Sequence, residues 1–112
     1  GDIIECEAVS SLLGQGGEGG AGRRPAINGM KDLIGHTMGA SGALELAGNI
    51  PSFVDGVVHP FTNVEELDPR CNLPGLVLRR PEETREINYI LNNSFGMLGI
   101  NSSLLVKRFS NR

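Results

Sequence analysis

The stretch Lys31-Asp32-Leu33-Ile34-Gly35-His36-Thr37-Met38-Gly39-Ala40-Ser41-Gly42-Ala43 decides the reading of this chain. It sets a cation and an imidazole five residues apart, then runs into tiny residues that open a helix. A histidine between glycines, just ahead of a helix start, can turn its ring toward a ligand. The helix is predicted from about Ser41, with Ala43, Leu46, Ala47, Ile50, Phe53 and Val54 at helical spacing. Pro51 falls inside that pattern; it has no N–H to donate and its ring clashes with the preceding turn, which predicts a kink or an early end.

Moving outward, Pro25–Met30 is short and partly apolar, consistent with a buried strand. Before it, Gly14–Gly22 is too rich in glycine to hold regular structure and is expected to be a flexible loop. The N-terminus reads as a helix over residues 3 to 13, with Asp2 at or near the N-cap and Glu5 three residues on. Its predicted apolar face is Ile4, Ala8 and Leu12, with Ile3 and Val9 alongside. After the second helix, Val57-Val58-His59-Pro60 begins a short extended segment, Asn63 to Pro74 is polar and turn-rich, and Leu76-Val77-Leu78 is a candidate strand. Ile87–Asn93 and Ser102–Phe109 both read as strands, joined by a glycine-containing turn, which predicts a terminal antiparallel pair. Helices mixed with strands give an α/β class.

At 112 residues the chain is one domain or a piece of one. Aromatic residues are only 4% and there is no Trp, so its core must rest on Ile, Leu, Val and Ala. The net charge is −3, and no basic run exceeds Arg79-Arg80 or Lys107-Arg108, which argues against nucleic acid as a partner. No apolar stretch approaches the roughly 20 residues of a membrane span, and no basic region precedes an apolar run at the start, so a soluble, cytoplasmic protein is expected, with no membrane partner. Cys6 and Cys71 fit no zinc spacing and no disulfide framework; a reduced cytosolic setting and no bound metal follow as expectations.

Several constellations invite chemistry. Gly14, Gly16 and Gly19 have dinucleotide-fingerprint spacing, but they follow a helix instead of a strand, and Glu18 would repel a pyrophosphate; a linker is the better reading. Cys6 with His36 could form a thiolate–imidazole pair, yet a small cysteine among Ile3, Ile4 and Val9 reads as packing. Cys71 lies in a polar loop without a neighbouring histidine, and His59 ahead of Pro60 reads as structural or solvated. Lys31 with His36 stands either as a site or as a satisfied polar loop. Asn92-Asn93-Ser94-Phe95-Gly96 precedes a turn whose free N–H groups could bind a developing oxyanion.

Four segments in order carry a resemblance: Gly1-Asp2-x-x-Glu5, Lys31-x-x-x-Gly35-His36-Thr37-x-Gly39-Ala40-Ser41-Gly42-Ala43, Pro60-x-Thr62-Asn63 and Asn93-Ser94-Phe95-Gly96-x-x-Gly99-x-Asn101. Together they resemble the C-terminal part of β-ketoacyl-(acyl-carrier-protein) synthases, the condensing enzymes of fatty-acid and polyketide assembly. The match runs from residue 1 to about 109, leaving 110–112 as a tail. It implies most of the second half of a thiolase-like fold: a mixed sheet with helices, ending in an antiparallel strand pair. It also implies that the first catalytic histidine falls just before residue 1 and that the nucleophilic cysteine belongs to the missing half, so these residues alone are expected to be inactive.

By this resemblance, His36 hydrogen-bonds the malonyl thioester carbonyl and stabilises the enolate that follows loss of CO₂. Lys31 is the lysine beside it, with Glu5 as its ion-pair partner and Asp2 a structural acid at the helix start. Phe95 and Gly96 shape a turn whose Met97 N–H serves an oxyanion hole, and Ser41 allows close packing beneath the His36 loop. Acyl carrier protein is the implied partner, its phosphopantetheine arm carries the acyl and malonyl substrates, no other cofactor is implied, and a homodimer or heterodimer is expected of the full-length protein. Two departures stand out. Gly96-Met97-Leu98-Gly99 replaces the family's usual Gly-Phe-Gly-Gly, which alters the gate and puts a side chain where glycine is usual. Pro51 and the glycine-rich segment at 14 to 22 are also atypical. The resemblance leaves two alternatives open: a malonyl-carrier-protein decarboxylase of a polyketide pathway, and a non-catalytic subunit like a chain-length factor.

Overall fold

Residues 1–13, 24–83 and 86–110 are described by the computed structural model, so the expected glycine-rich loop at 14–22 lies outside the described residues. Helix α1 spans Asp2–Leu13. The Glu5 N–H donates to the Gly1 carbonyl at 3.2 Å, which makes Gly1 the cap and Asp2 the first helical residue. Asp2 and Glu5 then lie in the first turn, where the helix dipole favours negative charge. The apolar face differs from the expected one. Ile4 is 69% exposed and Leu12 73%, while Ile3, Cys6, Val9 and Ser10 are half-buried. The helix carries apolar side chains on two sides, and spacing alone does not say which of them docks.

The Lys31 segment is more regular than a loop. Residues Lys31–Ile34 form one helical turn, α2, closed by Leu33 and Ile34 N–H bonds to the Met30 carbonyl. Gly35 ends it at φ 73°, ψ −177°, a conformation essentially reserved for glycine. A short turn over Met38–Ala40 leads into α3, Ser41–Asn49. Helix α3 stops where expected, because Pro51 has no N–H to continue it; a single new turn, α4, runs Ser52–Asp55 and is ended by left-handed Gly56.

Strand β1, Val57–Val58, pairs antiparallel with β2, Glu82–Glu83. Strand β3, Tyr89–Phe95, pairs antiparallel with β4, Asn101–Lys107, in the register Tyr89↔Lys107 to Phe95↔Asn101. The terminal hairpin therefore forms as its sequence predicts. The mixed sheet does not: among the described residues the sheet structure is two separate antiparallel pairs. Parallel contact survives as single bridges, Ile27↔Leu76 and Phe61↔Leu78, so Pro25–Met30 and Leu76–Leu78 are extended segments instead of full strands. Val77 between them is only 4% exposed, and with Val58 it is the buried aliphatic core. The Phe61 ring packs so closely on Gly29 that a Cβ there would lie 2.6 Å from it.

Candidate functional site

His36 sits in the link between Gly35 and the Met38–Ala40 turn, with its ring fixed by backbone geometry. The Met38 N–H donates to His36 Nδ1 at 3.1 Å. A backbone N–H can only donate, so Nδ1 is the acceptor and the neutral ring carries its proton on Nε2. The Ser41 hydroxyl lies 3.1 Å from the same Nδ1 and also accepts from the Thr37 N–H at 3.1 Å. Ser41 is buried, and its part is larger than the close packing expected of it: it ties the ring to the first residue of α3. The ring itself is exposed. An exposed Nε2–H held at a set angle is a hydrogen-bond donor for a carbonyl oxygen.

Lys31 does not pair with Glu5 as expected. Its Nζ lies 3.3 Å from Glu45 Oε1 on α3, with Lys31 half-exposed and Glu45 largely covered. Glu5 remains in the same electrostatic cluster. Partial burial raises its carboxyl first, the charges of Asp2 and Glu45 add to that, and Lys31 opposes them. The reason for the exchange is local: α2 and α3 flank the His36 link, so Glu45 reaches Lys31 at short range. In the sequence Glu45 carried no signal beyond an acid among apolar neighbours.

A second group of polar residues anchors this segment and was missed from the sequence. Asp32 Oδ2 accepts from both the Thr62 N–H, at 2.7 Å, and the Thr62 hydroxyl, at 2.6 Å. Burial raises the Asp32 carboxyl, but the two Thr62 bonds outweigh it and hold the group below its ordinary value of 3.8. Behind it, Asn28 Nδ2 donates to Asn49 Oδ1 and approaches His59 Nε2, each at 2.9 Å, and Asn49 bonds the Glu45 carbonyl at 2.7 Å. Of the two readings open for His59, structural or solvated, the Asn28 contact favours the structural one. Thr62 belongs to the quoted Pro60-x-Thr62-Asn63 segment, which was the one available signal for this anchor.

The terminal turn meets α3 directly. Asn92 Nδ2 donates to the Gly42 carbonyl at 3.3 Å, and a Cβ on Gly42 would lie 2.7 Å from Ser94 Oγ. Gly42 thus lets the end of β3 rest on the start of α3, one residue from the Ser41 that holds His36. Phe95 follows at the tip, 55% exposed. The Gly96 N–H bonds the Ile100 carbonyl at 2.6 Å and closes the hairpin. Among the described residues, the Met97 N–H makes no hydrogen bond. Leu98 takes φ 62°, ψ 28°, so the residue that replaces a glycine still adopts the left-handed backbone of one. No cluster of metal-ligating side chains exists among the described residues, and none of their helices is long and apolar enough to cross a membrane.

Comparison with known proteins identifies the family of the chain. The family model described as the β-ketoacyl synthase C-terminal domain matches residues 1–65. The chain is 31% identical over 108 residues to 3-oxoacyl-(acyl-carrier-protein) synthase 1 of Escherichia coli K12, covering 96% of this chain and 24% of that protein. It is 33% identical over 109 residues to synthase 2 of Mycobacterium bovis, covering 97% and 24%. It is 35% identical over 105 residues to the chloroplastic synthase II of Arabidopsis thaliana, covering 94% and 18%. The chain therefore spans about a quarter, or less, of the length of these relatives.

Proposed function

The chain belongs to the β-ketoacyl synthase family, as its C-terminal domain, and on that premise we propose that it supplies the malonyl-activating wall of a decarboxylative condensing enzyme with a thiolase-like frame. The observation that carries this reading is the Met38 N–H bond to His36 Nδ1, which leaves Nε2–H as an exposed donor. A malonyl thioester held on the phosphopantetheine arm of acyl carrier protein would place its carbonyl oxygen against that donor. Loss of CO₂ leaves the electron pair on the thioester as an enolate, whose oxygen gains charge just where Nε2–H points. Lys31 with Glu45 fixes the charge beside the ring, with Asp2 and Glu5 setting the field around it. The enolate carbon then attacks an acyl thioester, and the Met97 N–H would hold the oxyanion formed there.

The acyl-bearing nucleophile is assigned outside these residues. Cys6 and Cys71 contact each other and neither bonds His36. The 112 residues alone are therefore expected to be inactive, and condensation, carrier-protein docking and dimer formation belong to the longer protein. The direct test is His36→Ala in the full-length enzyme, followed by release of CO₂ from malonyl-carrier protein. The rate should fall by about 100-fold or more, while acyl transfer to the nucleophile persists. An unchanged decarboxylation rate would remove His36 from the mechanism. Release of acetyl-carrier protein without chain growth in the unaltered enzyme would mark a decarboxylase instead.

A further inference from the structure

The chain's two cysteines are 65 residues apart in sequence and meet in the fold. Cys6 projects from α1, and its sulfur lies 3.9 Å from the Cys71 carbonyl. Cys71 ends a tight turn over Pro69–Cys71, which Asp68 caps by accepting from the Arg70 N–H at 2.9 Å and pairing with its guanidinium at 2.7 Å. Both thiols are free and half-buried. Cys6 lines an open groove of about 470 Å³ together with Ser10 and with Arg70 and Asn72, the sequence neighbours of Cys71, so a small molecule can reach the edge of the contact. The contact joins α1 to a turn 65 residues away in sequence without a covalent bond.

We propose that Cys6 and Cys71 form a two-electron thiol–disulfide couple, oxidised by a low-molecular-weight disulfide of the glutathione class, that locks α1 onto the Pro69–Cys71 turn. The chemistry balances in two exchanges. The thiolate of one cysteine attacks the external disulfide, forming a mixed disulfide and expelling one thiolate. The second cysteine loses its proton and attacks the protein-bound sulfur, forming the Cys6–Cys71 bond and expelling the second thiol. The protein gives up two electrons and two protons, and the external disulfide is reduced to two thiols.

The order of attack follows from the surroundings. Burial, then the hydrogen bond and charge of Cys71, push the Cys6 thiol up to about 11, which makes it a poor first attacker near neutral pH. Cys71 attacks first. Once its sulfur is capped, its charge no longer opposes the Cys6 thiolate, and Cys6 resolves the mixed disulfide. The bridge would enclose the whole His36 segment and fix the Asp2–Glu5 end of α1 in the electrostatic cluster around Lys31.

The test is incubation of the 112-residue chain in glutathione buffers of increasing oxidised fraction, with intact mass and thermal midpoint as readouts. The unaltered chain should lose two hydrogens without dimerising, and its midpoint should rise by roughly 15–20 °C, as expected for closing a loop of this length. Cys6→Ser should stop at glutathionylated Cys71, and Cys71→Ser should stay largely unmodified. Oxidation should need a lower oxidised fraction in buffer than in concentrated urea, because the fold brings the two cysteines into contact. A persistent mixed disulfide on the unaltered chain, a disulfide-linked dimer, or equal oxidation with and without urea would each overturn the proposal.

Discussion

Leu98 is the residue whose identity and conformation most plainly conflict. It is fully exposed and left-handed, so it gains nothing from packing while it meets the steric cost that L side chains have in that region. Replacing it by glycine should raise stability by about 1 kcal/mol, since the strain vanishes and no contact is lost. The urea midpoint reads this, and a destabilised Leu98→Gly chain would show that the side chain has a partner in this fold. Beside it, Met97 is 74% exposed where the family's phenylalanine gate is expected. An unbranched thioether side chain samples more rotamers than an aromatic ring, so a gate proposed at this position would be softer than the family's. Both departures were legible from the sequence. The His36 tautomer was not, because it depends on where a backbone N–H two residues away points.

The elements that were legible are those whose pattern is local. The β3–β4 hairpin showed two apolar runs around a glycine turn, and the break after α3 showed a proline. What stayed hidden required a partner far along the chain. The choice of docking face on α1, the Lys31–Glu45 pair and the Asp32–Thr62 clasp all depend on tertiary placement, and periodicity carries no information about it. The clasp has a testable sign. Asp32 holds its proton more weakly folded than unfolded, so its contribution is present above the ordinary value of 3.8 and is lost as pH falls through the lower, folded value. Asp68, held at about 2 by Arg70, acts in the same direction. Acid titration of the unfolding midpoint should therefore fall most steeply below about pH 4, and Asp32→Asn should flatten that fall and cost about 1 kcal/mol at neutral pH. An Asp32→Asn profile that overlays the unaltered one would remove the clasp from the account.

The whole molecule presents more surface than a compact domain of its mass, and many of its large apolar side chains are exposed. Its accessible surface is 8598 Å², against about 6,000 Å² expected for a compact monomer of this mass. Val54 is 91% exposed, Leu12 73%, Ile100 70% and Leu105 64%. These side chains lie on α1, α4 and the terminal hairpin, so several faces are open at once. An isolated chain should melt broadly below about 45 °C and bind an apolar dye before it does, because little buried area opposes its conformational entropy. A sharp transition above about 65 °C, with no dye binding below it, would contradict this picture.

The pairing of β3 with β4 also has a consequence in time. Its contacts lie within 19 residues of sequence, Tyr89 to Lys107, whereas the contact between α1 and the Pro69–Cys71 turn must close a span of more than three times that length. Hairpins form on the order of microseconds, and longer loops carry a larger entropic cost to close. The turn that presents the Met97 N–H is therefore expected to take shape before the His36 segment settles against Ser94. Assembly of these residues would proceed from the β3–β4 hairpin outward, with that hairpin serving as the template onto which the rest is fitted.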